Sequence, residues 1–269
     1  GYKISNSNAL WTISFGYLMN LTIPRSGELA RSTALFGVEK VPVDKSFGTI
    51  ILERVVDLVC MGFFLLLTFI FKYDAIVSFF QYVTAQNANE PKADSGNKLY
   101  LLMGAFVGLG VLFFAFRKYL TKYSIYQKAI NFTKGIFHGL TSIFKLKQKL
   151  KFIVLSLAIW ICYYFAAYLV CFALPETSGF SFADGFFIIV VGTLGMMVPA
   201  SGGIGAFHFA LKLGIMALFL SMGKNPEEGG EVGLSYAFIS HTMQLVIMIV
   251  MGVISIPVLA KERGRLLSK

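Results

Sequence analysis

The chain has 269 residues, of which 56% are apolar and only 14% are charged, and its mean hydropathy is +0.70. Charged residues are about half as frequent as in soluble domains, so this composition excludes a soluble globular protein and predicts an integral membrane protein. The 24 lysine and arginine residues exceed the 14 acidic residues and give a formal net charge of +10, which predicts a strongly basic cytoplasmic face.

Hydrophobic segments recur along the chain, and several approach or exceed the roughly 20 residues that a helix needs to cross the hydrocarbon core. They predict an all-α fold, a polytopic bundle of transmembrane helices that forms one domain over residues 1–269. Because the chain opens with Gly1 rather than Met, we expect this domain to be truncated at its N-terminus. The predicted segments lie at about residues 9–24, 46–71, 98–116, 150–174, 181–199, 203–222 and 232–259.

A basic linker at residues 117–149 follows the third segment. Nine basic residues and no acidic residue lie from Arg117 to Lys151, so the positive-inside rule places this linker in the cytoplasm. Its apolar residues recur at helical spacing opposite the lysines, as in an amphipathic helix that lies on anionic lipid. A solvated cytoplasmic helical hairpin is the alternative, because the pattern alone does not distinguish a membrane from a partner protein.

The linker determines the orientation of the other connections. Residues 72–98 balance three lysines against three acids and contain turn-forming residues, so they predict a solvated outer loop, and residues 38–45 then lie inside. The connections at residues 175–184 and 224–231 are net acidic and are predicted to lie outside. The basic tail after residue 260 is predicted to lie in the cytoplasm.

Two short passages, residues 23–27 and 198–202, share the pattern Pro-x-Ser-Gly, and each ends one apolar stretch and opens another. Proline and glycine break a helix within a membrane, where the freed backbone groups are tolerated only if they are buried in protein or line a watery cavity. A pair of interrupted segments in corresponding halves is typical of transporters built from inverted repeats. The alternative is that so short a match arises by chance.

The second passage joins segments that both start and finish on the outer side, so they are either two full spans or one re-entrant helical hairpin. The connection over residues 200–205 carries no charge, which favours the hairpin. Bare backbone amides at the start of the following helix, together with its dipole, would form a site for an anionic group. Plain helix packing through small residues is the alternative. The residues concerned are Ser201, Gly202, Gly203 and Gly205.

Charged side chains within apolar surroundings are a further signal, because each costs roughly 2.5 to 3.5 kcal/mol at the bilayer centre. We predict that six of them form one buried network, in which an arginine binds the phosphate of a lipid headgroup or another anion and the carboxylates orient it. The alternative is an ion-pair network that only determines helix register near the cytoplasmic interface. The six are Arg25, Glu28, Arg31, Glu53, Arg54 and Asp57.

Two histidines, His208 and His241, complete the polar residues of the apolar segments. Each is either a proton relay or a satisfied core residue. The sequence has no metal-binding motif, so we predict no metal and no cofactor. The predicted partner is an anionic membrane phospholipid, and nucleic acid is not among the predicted partners.

Three longer motifs occur in a characteristic order. They are GYLMN leading to IPRSGELAR within residues 16–31, ILERVVDL at residues 51–58 and VPASGGIGA at residues 198–206. With these motifs the chain resembles, over nearly its whole length, the membrane region of lysylphosphatidylglycerol synthases and the related flippase-like proteins of bacteria. The resemblance implies a lipid-handling helical protein of the bacterial inner membrane. In some members this region moves an aminoacylated phospholipid across the bilayer, while a separate soluble domain makes the lipid.

The resemblance also bears on topology and on activity. Family members usually carry further helices before this region, which implies that Gly1 lies in the cytoplasm and that segment 9–24 is re-entrant. Two hairpins would then enter from opposite faces, with Pro24 and Pro199 near their tips, and meet around the midplane. Since the chain ends at Lys269 without a catalytic domain, we expect no lysyl transfer by this polypeptide.

Three functions follow from these observations. The first is a flippase-like translocator that binds an anionic phospholipid headgroup in a polar intramembrane cavity. The second is a membrane-embedded enzyme that uses Glu28, Asp57 or His208 as acid or base. The third is a membrane scaffold that recruits a partner enzyme, and the sequence favours neither a monomer nor a homo-oligomer.

Overall fold

A computed structural model describes residues 2–87, 143–144 and 146–268. Regular structure in these ranges is helical throughout, without a strand, which confirms the predicted all-α fold. The helices, numbered in chain order, are α1 (Asn6–Thr22), α2 (Gly27–Glu39), α3 (Val43–Phe71), α4 (Tyr73–Asn87), α5 (Lys149–Val170), α6 (Phe182–Met197), α7 (Ala206–Ser221) and α8 (Pro226–Leu267). Two 3₁₀ turns, Cys171–Ala173 and Ser201–Gly203, follow α5 and precede α7.

Part of the predicted membrane region lies outside these ranges. Predicted segment 98–116 is among the residues that are not described, and so is most of the predicted linker 117–149. Its positions 143–144 and 146–149 are the only described ones. The single-domain assignment therefore stays a prediction.

Four described helical stretches are long and apolar enough to cross a membrane. They are Val43–Phe71, Lys149–Ala173, Ser201–Ser221 and Pro226–Leu267. The chain is therefore a multi-pass membrane protein. By contrast α1 and α2, with 17 and 13 residues, reach only about 25 and 20 Å at 1.5 Å per residue, less than the roughly 30 Å of the hydrocarbon core.

Two connections differ from their predicted structure. The predicted outer loop at 72–98 begins with a helix, α4, because Ala75, Ile76 and Phe79 pack together against the core beside α7. Helix α8 begins at Pro226, six residues before the predicted segment 232–259. Proline is favourable at the first helical position, and the Asn225 side chain accepts a hydrogen bond from the Glu227 N–H at 2.9 Å, which caps the new first turn.

The 42-residue helix α8 is about 63 Å long and packs mainly against α7 and α1. Helix α7 runs antiparallel along its first half, since Phe219 lies against Gly229 while His208 lies against His241. Helix α1 packs along its second half, where a β-carbon on Gly252 would approach the Leu18 side chain to 2.5 Å. The buried core surrounds α7, where it meets α4, α6 and α8.

Candidate functional site

The first chain break separates α1 from α2 and supplies its own caps. Arg25 adopts a left-handed backbone conformation, with φ of +62°, and reverses the chain. The Ser26 hydroxyl donates to the Met19 carbonyl at 3.0 Å, and the Asn20 side chain accepts from the Gly27 N–H at 2.7 Å. These bonds satisfy backbone groups that a helix end leaves free.

Helices α1 and α2 form a tight antiparallel hairpin around this break. A β-carbon on Gly27 would lie 2.5 Å from the Gly16 carbonyl oxygen, so the two backbones are in contact there. At the other end of the hairpin, the Glu39 carboxylate accepts from the Ser5 N–H at 2.9 Å and from the Asn8 side chain at 2.8 Å. The hairpin is thus closed at both ends by polar contacts.

The second break separates α6 from α7 and depends on glycine. Gly202, Gly203 and Gly205 have φ values of +60°, +77° and +85°, which other residues rarely adopt. Helices α6 and α7 pack closely beyond the break, because a β-carbon on Gly195 would lie 2.8 Å from the Ala210 side chain. Residues 181–222 therefore form two antiparallel helices joined at the break. Both predicted alternatives, one re-entrant hairpin and two full spans, fit this arrangement and stay predictions.

The two breaks contact each other. The Arg25 guanidinium donates to the Met197 carbonyl at 3.0 Å and so places a cation at the negative end of the α6 dipole. A β-carbon on Gly202 would lie 2.8 Å from the Leu21 side chain and 3.6 Å from the Leu245 side chain. Sequence motifs 172 residues apart thus form one continuous site.

This site lies beside the middle of α8. Helix α8 carries no formal charge over residues 232–260, and Leu245 lies next to the middle of that stretch. His241, one turn earlier, is 1% exposed, and its Nε2 lies 2.9 Å from the Gly202 carbonyl oxygen, to which it donates. Both hairpin tips therefore meet halfway along the apolar part of the longest described helix.

The six predicted charges do not form one network in the described structure. Arg31 binds Glu53 through two hydrogen bonds of 2.8 and 3.2 Å, and these side chains are 27% and 31% exposed. Arg25 is exposed and contacts a carbonyl group, while Glu28 forms no ion pair with any described side chain. The prediction of a single buried network is wrong, because four of the charges form two separate pairs and Arg25 and Glu28 belong to neither.

The second ion pair joins α3 to α5. Arg54 binds Asp57 at 3.0 Å, as its spacing of three residues predicts, and the Trp160 indole donates to the same carboxylate at 3.0 Å. The Arg54 side chain is 61% exposed, so it is not buried as predicted.

The two histidines lie together at the second break. The His208 and His241 rings are 4.9 Å apart between centroids, and His241 Nδ1 is buried without a hydrogen-bond partner among the described residues. No group of three metal-ligating side chains occurs in the described ranges. One nitrogen of His241 therefore contacts the break, and the other is buried without a hydrogen-bond partner among the described residues.

Sequence reasoning missed residues that the fold places in the site. Asn20 caps α2, and Trp160 holds Asp57. A polar Asn20 directly before the break was a usable signal, because helix ends need polar partners. Trp160 carried no such signal, since interfacial tryptophans are common in membrane helices.

We expect a double-mutant cycle to detect the contact between Arg31 and Glu53. Either single substitution, Arg31→Gln or Glu53→Gln, should destabilise the fold by about 1–2 kcal/mol, between the values for exposed and buried pairs. The double variant should lose less than the sum, because neither charge is then left alone. Thermal unfolding in detergent measures this, Lys45→Gln is the exposed control, and strictly additive losses would contradict the contact.

Comparison with protein families gives a match over nearly the whole chain. The sequence model of the family described as "Lysylphosphatidylglycerol synthase TM region" matches residues 1–261. This match covers all three motifs and confirms the resemblance inferred from them. No curated protein matches the chain, and no solved structure matches it.

Proposed function

The chain belongs to the lysylphosphatidylglycerol synthase TM-region family, a lipid-related family of membrane proteins, and on this premise we propose that it translocates a phospholipid between leaflets. The headgroup passes through a polar site at the two chain breaks while the acyl chains stay in lipid. The contact between the breaks halfway along α8 carries this proposal.

The location of the breaks supports a hydrated pathway. Irregular backbone at membrane depth is stable only where protein buries it or water reaches it. Pro24, Arg25 and Ser201 are exposed at the two tips, so protein alone does not cover them within the described structure. Water between the tips would solvate these groups, and a hydrated site of this kind suits a charged headgroup.

In this proposal the two hairpins are re-entrant elements that enter the membrane from opposite sides. Gly37, near the base of the first hairpin, and Arg263, in the basic tail, line one common cleft. The first hairpin therefore enters from the cytoplasmic side of the bacterial inner membrane, where the positive-inside rule places the tail. Helix α7 packs along the opposite half of α8, so the α6–α7 hairpin would enter from the outside, as in the inverted arrangement of many transporters.

The arginines have different roles in this proposal. Arg31 is engaged by Glu53 through two bonds, so it holds α2 against α3. Arg54 contacts Asp57 through Nη2 and is 61% exposed, which leaves donors of its guanidinium for a phosphate group. Arg25 lies at the first tip, and the unpaired Glu28 beside it suits a cationic part of the headgroup.

The second tip offers backbone donors. The first turn of α7 follows Gly205 and leaves N–H groups that no earlier helical carbonyl accepts. Together with the helix dipole they attract an anion at Ser201, Gly202, Gly203 and Gly205. A phosphate leaving Arg54 or Arg25 would therefore meet a second anion site on its way across the membrane. His208 lies in the same first turn of α7.

Translocation of a fluorescent phosphatidylglycerol in proteoliposomes tests the proposal. We expect Arg54→Gln to lower the rate about tenfold, because a charge-assisted hydrogen bond to phosphate contributes about 1.5–3 kcal/mol. Arg265→Gln, an equal loss of charge in the exposed tail, is the matched control and should keep its rate. A transport rate no higher than that of protein-free liposomes, or conversion of the headgroup without transport, would contradict translocation, and conversion would favour the enzyme. Equal rates for both variants would exclude Arg54 as the phosphate ligand.

A further inference from the structure

A cleft of about 520 Å³ lies between α1, α2 and the C-terminal part of α8. Its volume falls within the roughly 300–1,000 Å³ of ligand sites. On α2 the cleft follows one face, where Ala30, Ala34 and Gly37 recur at helical spacing and leave room beside the backbone. A β-carbon on Gly37 would meet no atom within 4 Å, so this part of the cleft is open.

The lining is apolar in character. Apart from Arg263, the polar side chains of the lining are Ser26 and Thr33. Their hydroxyls donate to backbone carbonyls, Ser26 to Met19 at 3.0 Å and Thr33 to Leu29 at 2.7 Å. Because both hydroxyl protons are already used, the lining has few hydrogen-bond donors left for water. The cleft therefore suits a hydrocarbon chain.

One end of the cleft carries a cation. Arg263 lines it and is exposed, and it has no ion-pair partner among the described residues. Its acidic neighbour, Glu262, is bound by Arg265 at 2.5 Å. An anion at the mouth of the cleft would therefore meet an arginine with all its donors free, in a tail that is basic overall.

The length of the cleft matches one leaflet. From Ser26 to Val38 the lining follows α2 for about 18 Å at 1.5 Å per residue. Half of a hydrocarbon core of about 30 Å is about 15 Å. An apolar cleft of that length with a cation at its mouth has the dimensions and the charge of one phospholipid chain with its phosphate.

We propose that this cleft binds an anionic phospholipid of the cytoplasmic leaflet, with one acyl chain along α2 and the phosphate on Arg263. The assignment of the cleft to the cytoplasmic leaflet rests on the proposed function. It adds a loading site that is separate from Arg54. The chain end reaches Ser26, next to the first break, so a lipid held here lies beside the site where its headgroup would cross.

Photolabelling of the full chain in nanodiscs tests the cleft. The probe is phosphatidylglycerol with a photoreactive group at the end of one acyl chain, in a phosphatidylcholine bilayer, and labelled peptides are mapped by mass spectrometry. We expect label around residues 26–30. Ala34→Trp should abolish it by filling the cleft, whereas Leu155→Trp, at a 53% exposed position on α5, should leave it unchanged.

Arg263→Gln tests whether the arginine charge binds the phosphate. Because Arg263 is exposed, the substitution should not disturb folding. We expect about a tenfold loss of phosphatidylglycerol labelling, as for one charge-assisted hydrogen bond, and no loss in Lys261→Gln, an exposed tail position outside the cleft lining. A phosphatidylcholine probe should label the native protein more weakly. Unchanged labelling in Ala34→Trp, or equal labelling by both probes before and after Arg263→Gln, would overturn the proposal.

The same variants separate this site from the proposed function. Label in the cleft of a protein that moves no lipid would leave the binding site in place and exclude translocation. Translocation without label in the cleft would support the function and exclude the loading site.

Discussion

Asp184→Asn is expected to destabilise the protein by about 3 kcal/mol or more, as when one partner of a buried ion pair is removed. Asp184 is 1% exposed, and its carboxylate lies 2.5 Å from the Lys72 ammonium group, which is 18% exposed. The same carboxylate accepts two bonds of 2.7 Å from the backbone N–H and the hydroxyl of Ser181 at the start of α6. Asparagine would leave Lys72 charged and without its partner.

The apparent melting temperature in detergent measures this loss. Asp44→Asn removes the same charge from a 73% exposed side chain with only a 3.9 Å contact, so it should change stability little. Adding Lys72→Gln to Asp184→Asn should restore part of the stability, because the unpaired cation is then removed. A small effect of Asp184→Asn, equal to that of Asp44→Asn, would show that the pair contributes little to the fold.

Gly27→Ala is expected to disrupt the α1–α2 hairpin. The added β-carbon would lie 2.5 Å from the Gly16 carbonyl oxygen and 2.4 Å from the Asn20 side-chain nitrogen, so the helices must separate. Overpacking of this kind costs about 1–3 kcal/mol or more. Because Asn20 also caps α2 at Gly27, separation displaces the first break, and translocation should fall together with stability.

Gly48→Ala is the matched control, since a β-carbon there would meet no atom within 4 Å. It should be neutral or stabilise the protein by up to about 1 kcal/mol, because alanine favours a helix over glycine. Melting temperature and the proteoliposome rate are measured for both variants. If Gly27→Ala matched Gly48→Ala in both measurements, close contact of α1 with α2 would not be needed for the site.

Much of the local structure followed from the sequence. Composition predicted a membrane protein with an all-α fold, because a hydrocarbon solvent leaves helices as the simplest way to satisfy the backbone. Proline and glycine patterns located both breaks, since their backbone restrictions are local. The pairing of Arg54 with Asp57 was likewise predictable, because residues three apart share a helix face.

The tertiary structure alone decided how these parts meet. Arg31 binds Glu53 on the next helix, Arg25 reaches Met197 172 residues away, and the cleft at Arg263 needs three helices together. Helices that are apolar all round carry no stripe that shows which face meets protein and which meets lipid. Their partners are determined by the close fit of small residues such as Gly16, a property of the packed bundle that spacing along the chain does not encode.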